Sequence, residues 1–112
     1  MPPKPELAPR DIVWMDPDPT VGREQAGRRP AVVVAGGGYL HVVDALAIIV
    51  PVTSVDRRWP NHVQIRGLGK PSWAMTEQLR AVSRDRLHGD LGRVNEATFL
   101  QIRNWLRDHL DL

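Results

Sequence analysis

Two short runs rich in β-branched residues constrain this chain more than any other feature: PAVVVA at 30–35 and LAIIVPVTS at 46–54. Valine and isoleucine lose χ1 freedom in a helix and pack well on a pleated surface, so apolar runs this short read as buried strands. A chain of 112 residues has room for one domain with a modest core, and that domain has to supply the whole function. Before these runs, DIVWM at 11–15 predicts a first strand, stopped by the alternating aspartates and prolines of DPDPT. After them, HVQI, SWAM and LRAVS predict shorter strands. Pro51 predicts an edge or bulge near its strand's end, because proline cannot donate to a ladder. The triple glycine at 36–38 lacks the lysine and following helix of a phosphate cradle and reads as a flexible hairpin connection.

The period changes at the C-terminus. In NEATFLQIRNWLRDHLDL, Phe99, Ile102, Leu106 and Leu110 fall on one side, with Arg103 and Arg107 on the other, predicting an amphipathic helix. Asn95 is a good N-cap, and Glu96 suits the positive end of the helix dipole. The expected fold is therefore mainly β: several short antiparallel strands forming a small barrel or strongly twisted sheet, with one C-terminal helix. Residues 1–9, holding four of the ten prolines, are expected to form a flexible arm ahead of a domain at 10–112.

Composition excludes several chemistries. There is no cysteine, which removes disulfides, thiol nucleophiles and cysteine metal sites. His41, His62, His88 and His109 are scattered without ligand spacing, so no metal or other cofactor is expected. No apolar run suits a membrane span or an export signal, and the expected compartment is the cytoplasm. There is no G-x-S-x-G motif for a serine hydrolase. The formal net charge is only +2, yet 57–86 carries seven cations against Glu77 and Asp85. Of the 15 basic residues only Lys4 and Lys70 are lysines, and the arginine fork grips phosphate in two places. That leans toward a nucleic-acid partner.

Three stretches offer candidate residues. In GREQAGRRP at 22–30, Pro30 biases Arg29 toward an extended conformation at the mouth of a strand, where its guanidinium can clamp a phosphate. Glu24 can accept a proton from a ribose hydroxyl or hold an arginine in place. A solvated loop with incidental charge pairs fits the same residues. In PVTS, Thr53 and Ser54 can donate to a phosphate oxygen or cap a turn. In SWAMTEQLRAVSRDRL, Glu77 and Gln78 can read base edges beside Arg80, Arg84 and Arg86, while Trp73 and Met75 suit a strand core equally well. Trp59, between Arg58 and Pro60 in a turn, is the better stacking candidate.

In this order, DIVWMDPDPTVGREQAGRRPAVVV, VPVTSVDRRWPNHV, PSWAMTEQLRAVSRDRL and the GRV before the last helix resemble the MazF/PemK family of toxin endoribonucleases over about residues 10–110. The resemblance implies a curved antiparallel SH3-like barrel, also shared by CcdB, assembled as a homodimer. It implies metal-independent, sequence-specific cleavage of single-stranded RNA and neutralisation by a cognate MazE-like antitoxin. It makes Arg29 and Thr53 the catalytic pair, with Gln25, Ser54, Glu77 and Gln78 lining the site beside Glu24. Arg28, Arg58, Trp59, Arg80, Arg84 and Arg86 join them as RNA-binding candidates. An arginine keeps its proton at neutral pH, so Arg29 suits charge stabilisation and Glu24 is the candidate base. The alternative within the same superfamily is a non-catalytic gyrase poison of the CcdB kind or a nucleic-acid-binding barrel; a protein poison has no need for a phosphate clamp. One departure concerns the entry to the first strand: the family usually has Arg-Gly-Asp where this chain has Pro9-Arg10-Asp11.

Overall fold

The computed structural model describes residues 6–17 and 27–112. Strands β1 (Ile12–Met15), β2 (Arg29–Val33) and β3 (Leu46–Thr53) form its centre, followed by β4 (His62–Ile65), β5 (Ser72–Met75), β6 (Arg80–Ser83) and β7 (Leu87–His88). A short helix α1 (Gly37–Val42) joins β2 to β3, and the long helix α2 (Glu96–Leu110) ends the chain. Every pairing is antiparallel, in the order β4-β5-β3-β2-β1-β7, with β6 branching from β3. The path does not return from β7 to β4, so this mainly β sheet is open.

Burial on both faces explains the unbroken apolar runs at the centre. Ile12, Val32 and Val50 lie in one cross-strand row, since Ile12 pairs with Val32 and Val32 with Val50, and they pack on one face with Val52, Val63, Ile65 and Ile102. Their neighbours Val13, Ala31, Val33 and Ile49 pack on the opposite face with Leu40, Val82 and Leu87. Burying each of the valine, leucine and isoleucine side chains contributes about 1.5–3 kcal/mol.

Strand β3 is the spine. Its first half pairs with β6 from Leu46 to Ile49, and its end pairs with β5 at Val52 and Thr53. Pro51 lies inside this strand, opposite Ala31 of β2, rather than at an edge or at its end. It is tolerated because β3 changes partners on its other side between Ile49 and Val52, where a missing N–H breaks no ladder bond.

Two further expectations are corrected. The triple glycine does not make a hairpin link: α1 begins within it, and Leu40 is buried in the core while Tyr39 packs against it. On α2, Ile102 is buried and Phe99, Leu106 and the unforeseen Trp105 pack beside it, whereas Leu110 is 54% exposed in the last turn. Asn95 does cap α2, its side chain accepting the Thr98 N–H at 2.8 Å.

Of the expected arm, Leu7 packs against the core, the Ala8 N–H donates to Asp11, and the Pro9 carbonyl accepts from Arg93. Residues 1–5 lie outside the described residues. Arg10 takes φ 78°, the left-handed backbone that glycine adopts freely, at the position where the family usually carries glycine. The strand entry is held by the Arg10 N–H donating to the Val33 carbonyl and its Nε to the Val94 carbonyl at 2.9 Å.

Candidate RNA-binding cleft

Where β2 begins and β3 ends the sheet opens into a cleft of about 570 Å³. Three chain segments build it. Gly27, Arg28, Arg29 and Pro30 come from the start of β2; Val52, Thr53, Ser54, Val55 and Arg57 come from the end of β3 and its following loop; Gly67, Leu68, Lys70 and Ser72 come from the β4–β5 connection. Gly67 and Gly69 take φ 91° and 84°, conformations that side chains resist, and these turns bring Leu68 and Lys70 to the rim. Trp14 and Leu91 complete the walls.

Among the described residues the lining holds four cations, Arg28, Arg29, Arg57 and Lys70, and no carboxylate. Apolar walls of Trp14, Val52, Leu68 and Leu91 keep the local dielectric low, so the field of those cations is focused into the cleft.

Arg29 and Thr53 meet here. The β2–β3 register pairs Val33 with Ile49, Val32 with Val50 and Ala31 with Pro51. Continued for two more residues, it sets Arg29 opposite Thr53, a separation at which cross-strand side chains are neighbours. The Thr53 side chain is buried, and its Oγ1 accepts the Val55 N–H at 3.1 Å, leaving the hydroxyl proton free to be donated. Arg29 is exposed, and its side chain makes no hydrogen bond or ion pair among the described residues.

Other candidates divide. Arg28 and Ser54 line the cleft. Gln78 lies beside it, since its amide and the cleft residue Arg57 both donate to the Met75 sulfur, at 3.6 and 3.9 Å. Trp59 is 49% exposed, with its ring tilted against His62 at 4.9 Å, and Arg58 sits in a left-handed turn closed by Asp56; neither lines the cleft. Arg80 is exposed on β6, away from the lining.

Glu77 is held in a separate polar cluster. His62 Nε2 approaches both carboxylate oxygens, at 2.9 and 3.1 Å, and Asn61 donates to one of them at 2.8 Å. Burial alone would raise its pKa, but hydrogen bonds from His62, the backbone and Asn61, with attraction to the His62 ring, hold it below the usual 4.5.

Arg84 and Arg86, RNA-binding candidates by sequence, are engaged by backbone carbonyls of the fold. Arg84 donates to the carbonyls of Leu40, Val43 and Leu46, and Arg86 donates twice to the Asp16 carbonyl. Glu24 and Gln25 lie outside the described residues. Sequence reasoning missed Trp14, Arg57, Lys70 and Ser72 as cleft residues. For Arg57 and Lys70 the signal was their place in the basic stretch at 57–86.

A small antiparallel β fold whose cleft, among its described residues, carries only cations is suited to a polyanion. The family model for the PemK-like, MazF-like toxins of type II toxin-antitoxin systems matches residues 8–110, and the chain belongs to that family. Endoribonuclease MazF9 of Mycobacterium tuberculosis is 34% identical over 113 aligned positions, covering 92% of this chain and 96% of that protein. The endoribonuclease toxin MazF of Escherichia coli K12 is 34% identical over 73 residues, so the chain spans only about 65% of that relative's length. The crystal structure of MazE-MazF (Form-II) from Deinococcus radiodurans superposes with a TM-score of 0.81 at 27% identity, covering 95% of this chain and 96% of that one. Among the described residues no helix is long and apolar enough to cross a membrane.

Proposed function

We propose that this chain is an endoribonuclease toxin that cuts single-stranded RNA at a specific sequence without a metal, and that its cleft is the active site. The observation that carries the reading is the juxtaposition of Arg29 and Thr53 in a cleft whose charged lining, among the described residues, is cationic. Family membership and the endoribonuclease activities named for the M. tuberculosis and E. coli relatives support it over a non-catalytic gyrase poison or binding barrel.

The chemistry follows from what the side chains can do. The ribose 2′-oxygen attacks the adjacent phosphorus, the bond from phosphorus to the 5′-oxygen breaks, and a 2′,3′-cyclic phosphate and a 5′-hydroxyl result. The 2′-proton passes to a base, for which Glu24 is the candidate, and the leaving oxygen takes up a proton. Arg29 stabilises the charge that grows on the phosphate, and Thr53 donates its hydroxyl proton to a phosphate oxygen and fixes the line of attack. Arg28, Arg57 and Lys70 hold the flanking backbone.

An antitoxin similar to MazE would lay an acidic, partly disordered segment along the same cationic groove, and the toxin would act in the cytoplasm as a homodimer. The test is incubation of the antitoxin-free protein and its Arg29→Ala variant with a mixed pool of single-stranded RNA in excess EDTA, followed by sequencing of the fragment ends. Cleavage by the wild type alone at a common short sequence, leaving 5′-hydroxyl ends, supports the reading; 5′-phosphate ends would refute the mechanism.

A further inference from the structure

Asp16, immediately after β1, sits between the protein interior and the cleft. Its backbone is already fixed: the N–H donates to the Arg86 carbonyl at 2.8 Å, and its own carbonyl accepts from Arg86 Nε and Nη2 at 3.1 and 2.8 Å. Its carboxylate is not needed to hold the strand end. The two carboxylate oxygens instead point to different partners. One accepts from Nε2 of His88, and the other lies 3.5 Å from Nε of the cleft residue Arg28.

His88 is placed for this contact by the β1–β7 ladder, which pairs it with the cleft residue Trp14. Its side chain is only 7% exposed, and its Nδ1 is buried with no hydrogen-bond partner among the described residues. A buried imidazole with one nitrogen unsatisfied is unfavourable as core filling. What it supplies is one fixed donor to Asp16, and that donor orients the carboxylate toward Arg28.

The guanidinium of Arg28 meets Asp16 through Nε, so its two terminal nitrogens, which have no partner among the described residues, are left for the cleft. That is the arrangement in which an arginine presents a two-pronged face to a phosphate. We propose that Asp16, braced by His88, is a positioning residue that holds Arg28 ready for the RNA backbone. The role in RNA binding rests on the endoribonuclease reading; the contact with Arg28 does not.

Two measurements test it separately. In steady-state cleavage of a short single-stranded RNA, Asp16→Asn removes the ion pair and preserves the shape. Its KM should rise about five- to tenfold with kcat within about twofold, since a pre-oriented phosphate contact acts on binding. Arg28→Ala should do the same, and the double variant should be no worse than Arg28→Ala alone. His88→Leu should reproduce the Asp16→Asn effect, and His88→Gln, which retains a donor near the Nε2 position, should recover most of it. Additive effects of Asp16→Asn and Arg28→Ala, or a loss confined to kcat, would overturn the proposal.

The second measurement needs no RNA. By nitrogen-15 NMR, the Arg28 Nε–H signal should be displaced and slow to exchange in the wild type, and should move to the free-arginine position in Asp16→Asn. An unmoved signal would overturn the positioning role whatever the kinetics. A moved signal in a protein that cuts no RNA would sink the endoribonuclease reading and leave the contact between Asp16 and Arg28 standing.

Discussion

Replacing Arg84 with alanine separates a structural arginine from an RNA-binding one. Arg84 follows β6 and reaches back more than 35 residues to the carbonyls of Leu40 and Val43, at the end of α1, and of Leu46, at the start of β3. A six-residue helix cannot sustain itself, and its last carbonyls need external donors. Hydrogen bonds from a charged donor contribute about 1.5–3 kcal/mol each when well buried. Here two are partly buried and the bond to Leu46 is exposed, which reduces the total to about 2–3 kcal/mol. With a urea slope of about 1.5 kcal/mol/M for a chain of this size, the unfolding midpoint of Arg84→Ala should fall by about 1.3–2 M. Wild type and variant are compared at equal protomer concentration, because dimerisation would make the midpoint depend on it. RNA cleavage per folded molecule, measured well below the melting range, should stay at the wild-type level. A midpoint shift below about 0.3 M together with a marked loss of cleavage would refute this assignment and return Arg84 to the RNA-binding surface.

Two other perturbations probe particular details. Arg10→Gly should stay within about 0.5 kcal/mol of wild type, because relief of its left-handed backbone offsets the lost bond to Val94, whereas Arg10→Ala keeps the backbone penalty and should lose about 1 kcal/mol. Equal stabilities for the two variants in denaturant melts would show that the φ of 78° carries no cost. Glu77 has a carboxyl held below 4.5, so its contribution to stability is complete above that pH and is lost as the pH falls through its lowered value. Glu77→Gln should therefore lower stability at pH 7 and flatten the acid-side decline; an unchanged slope of stability against pH below 4.5 would contradict the network around His62.

What the sequence disclosed, and what it withheld, follows the range of the forces involved. PAVVVA and LAIIVPVTS were legible because both faces of β2 and β3 are buried, and continuous apolar runs record that directly. The Asn95 cap was equally local. Helix α1 was hidden because three glycines disfavour a helix, and only tertiary packing of Tyr39 and Leu40, with Arg84 capping the far end, overrides that tendency. Pro51 was misread because no local pattern announces that β3 changes partners beside it. Arg84 and Arg86 looked like phosphate ligands for a related reason: charge is visible in a sequence, but the carbonyls that consume it arrive from distant segments.

The cleft was half legible. Arg29 and Thr53 stand at the ends of recognisable strands, and the antiparallel register carries them to one place. Arg57 comes from a loop turned by the left-handed Arg58 and Lys70 from one turned by the left-handed Gly67 and Gly69, and nothing in their spacing fixes where they point. Asp16 read as a turn former and His88 as an isolated histidine, because the ladder that brings His88 to Trp14 spans most of the chain.

The central claim is that Arg29 and Thr53 act on one phosphate. Single-turnover cleavage of a defined single-stranded RNA, at saturating enzyme and in excess EDTA, tests it most directly, with wild type, Arg29→Ala, Thr53→Val and the double variant compared. The account predicts a loss of at least about a hundredfold for Arg29→Ala, as for removal of a charge-stabilising donor, a smaller loss for Thr53→Val, and a double variant well short of the product of the two. Wild-type rates in folded Arg29→Ala, or fully multiplicative losses, would contradict a shared role at one phosphate.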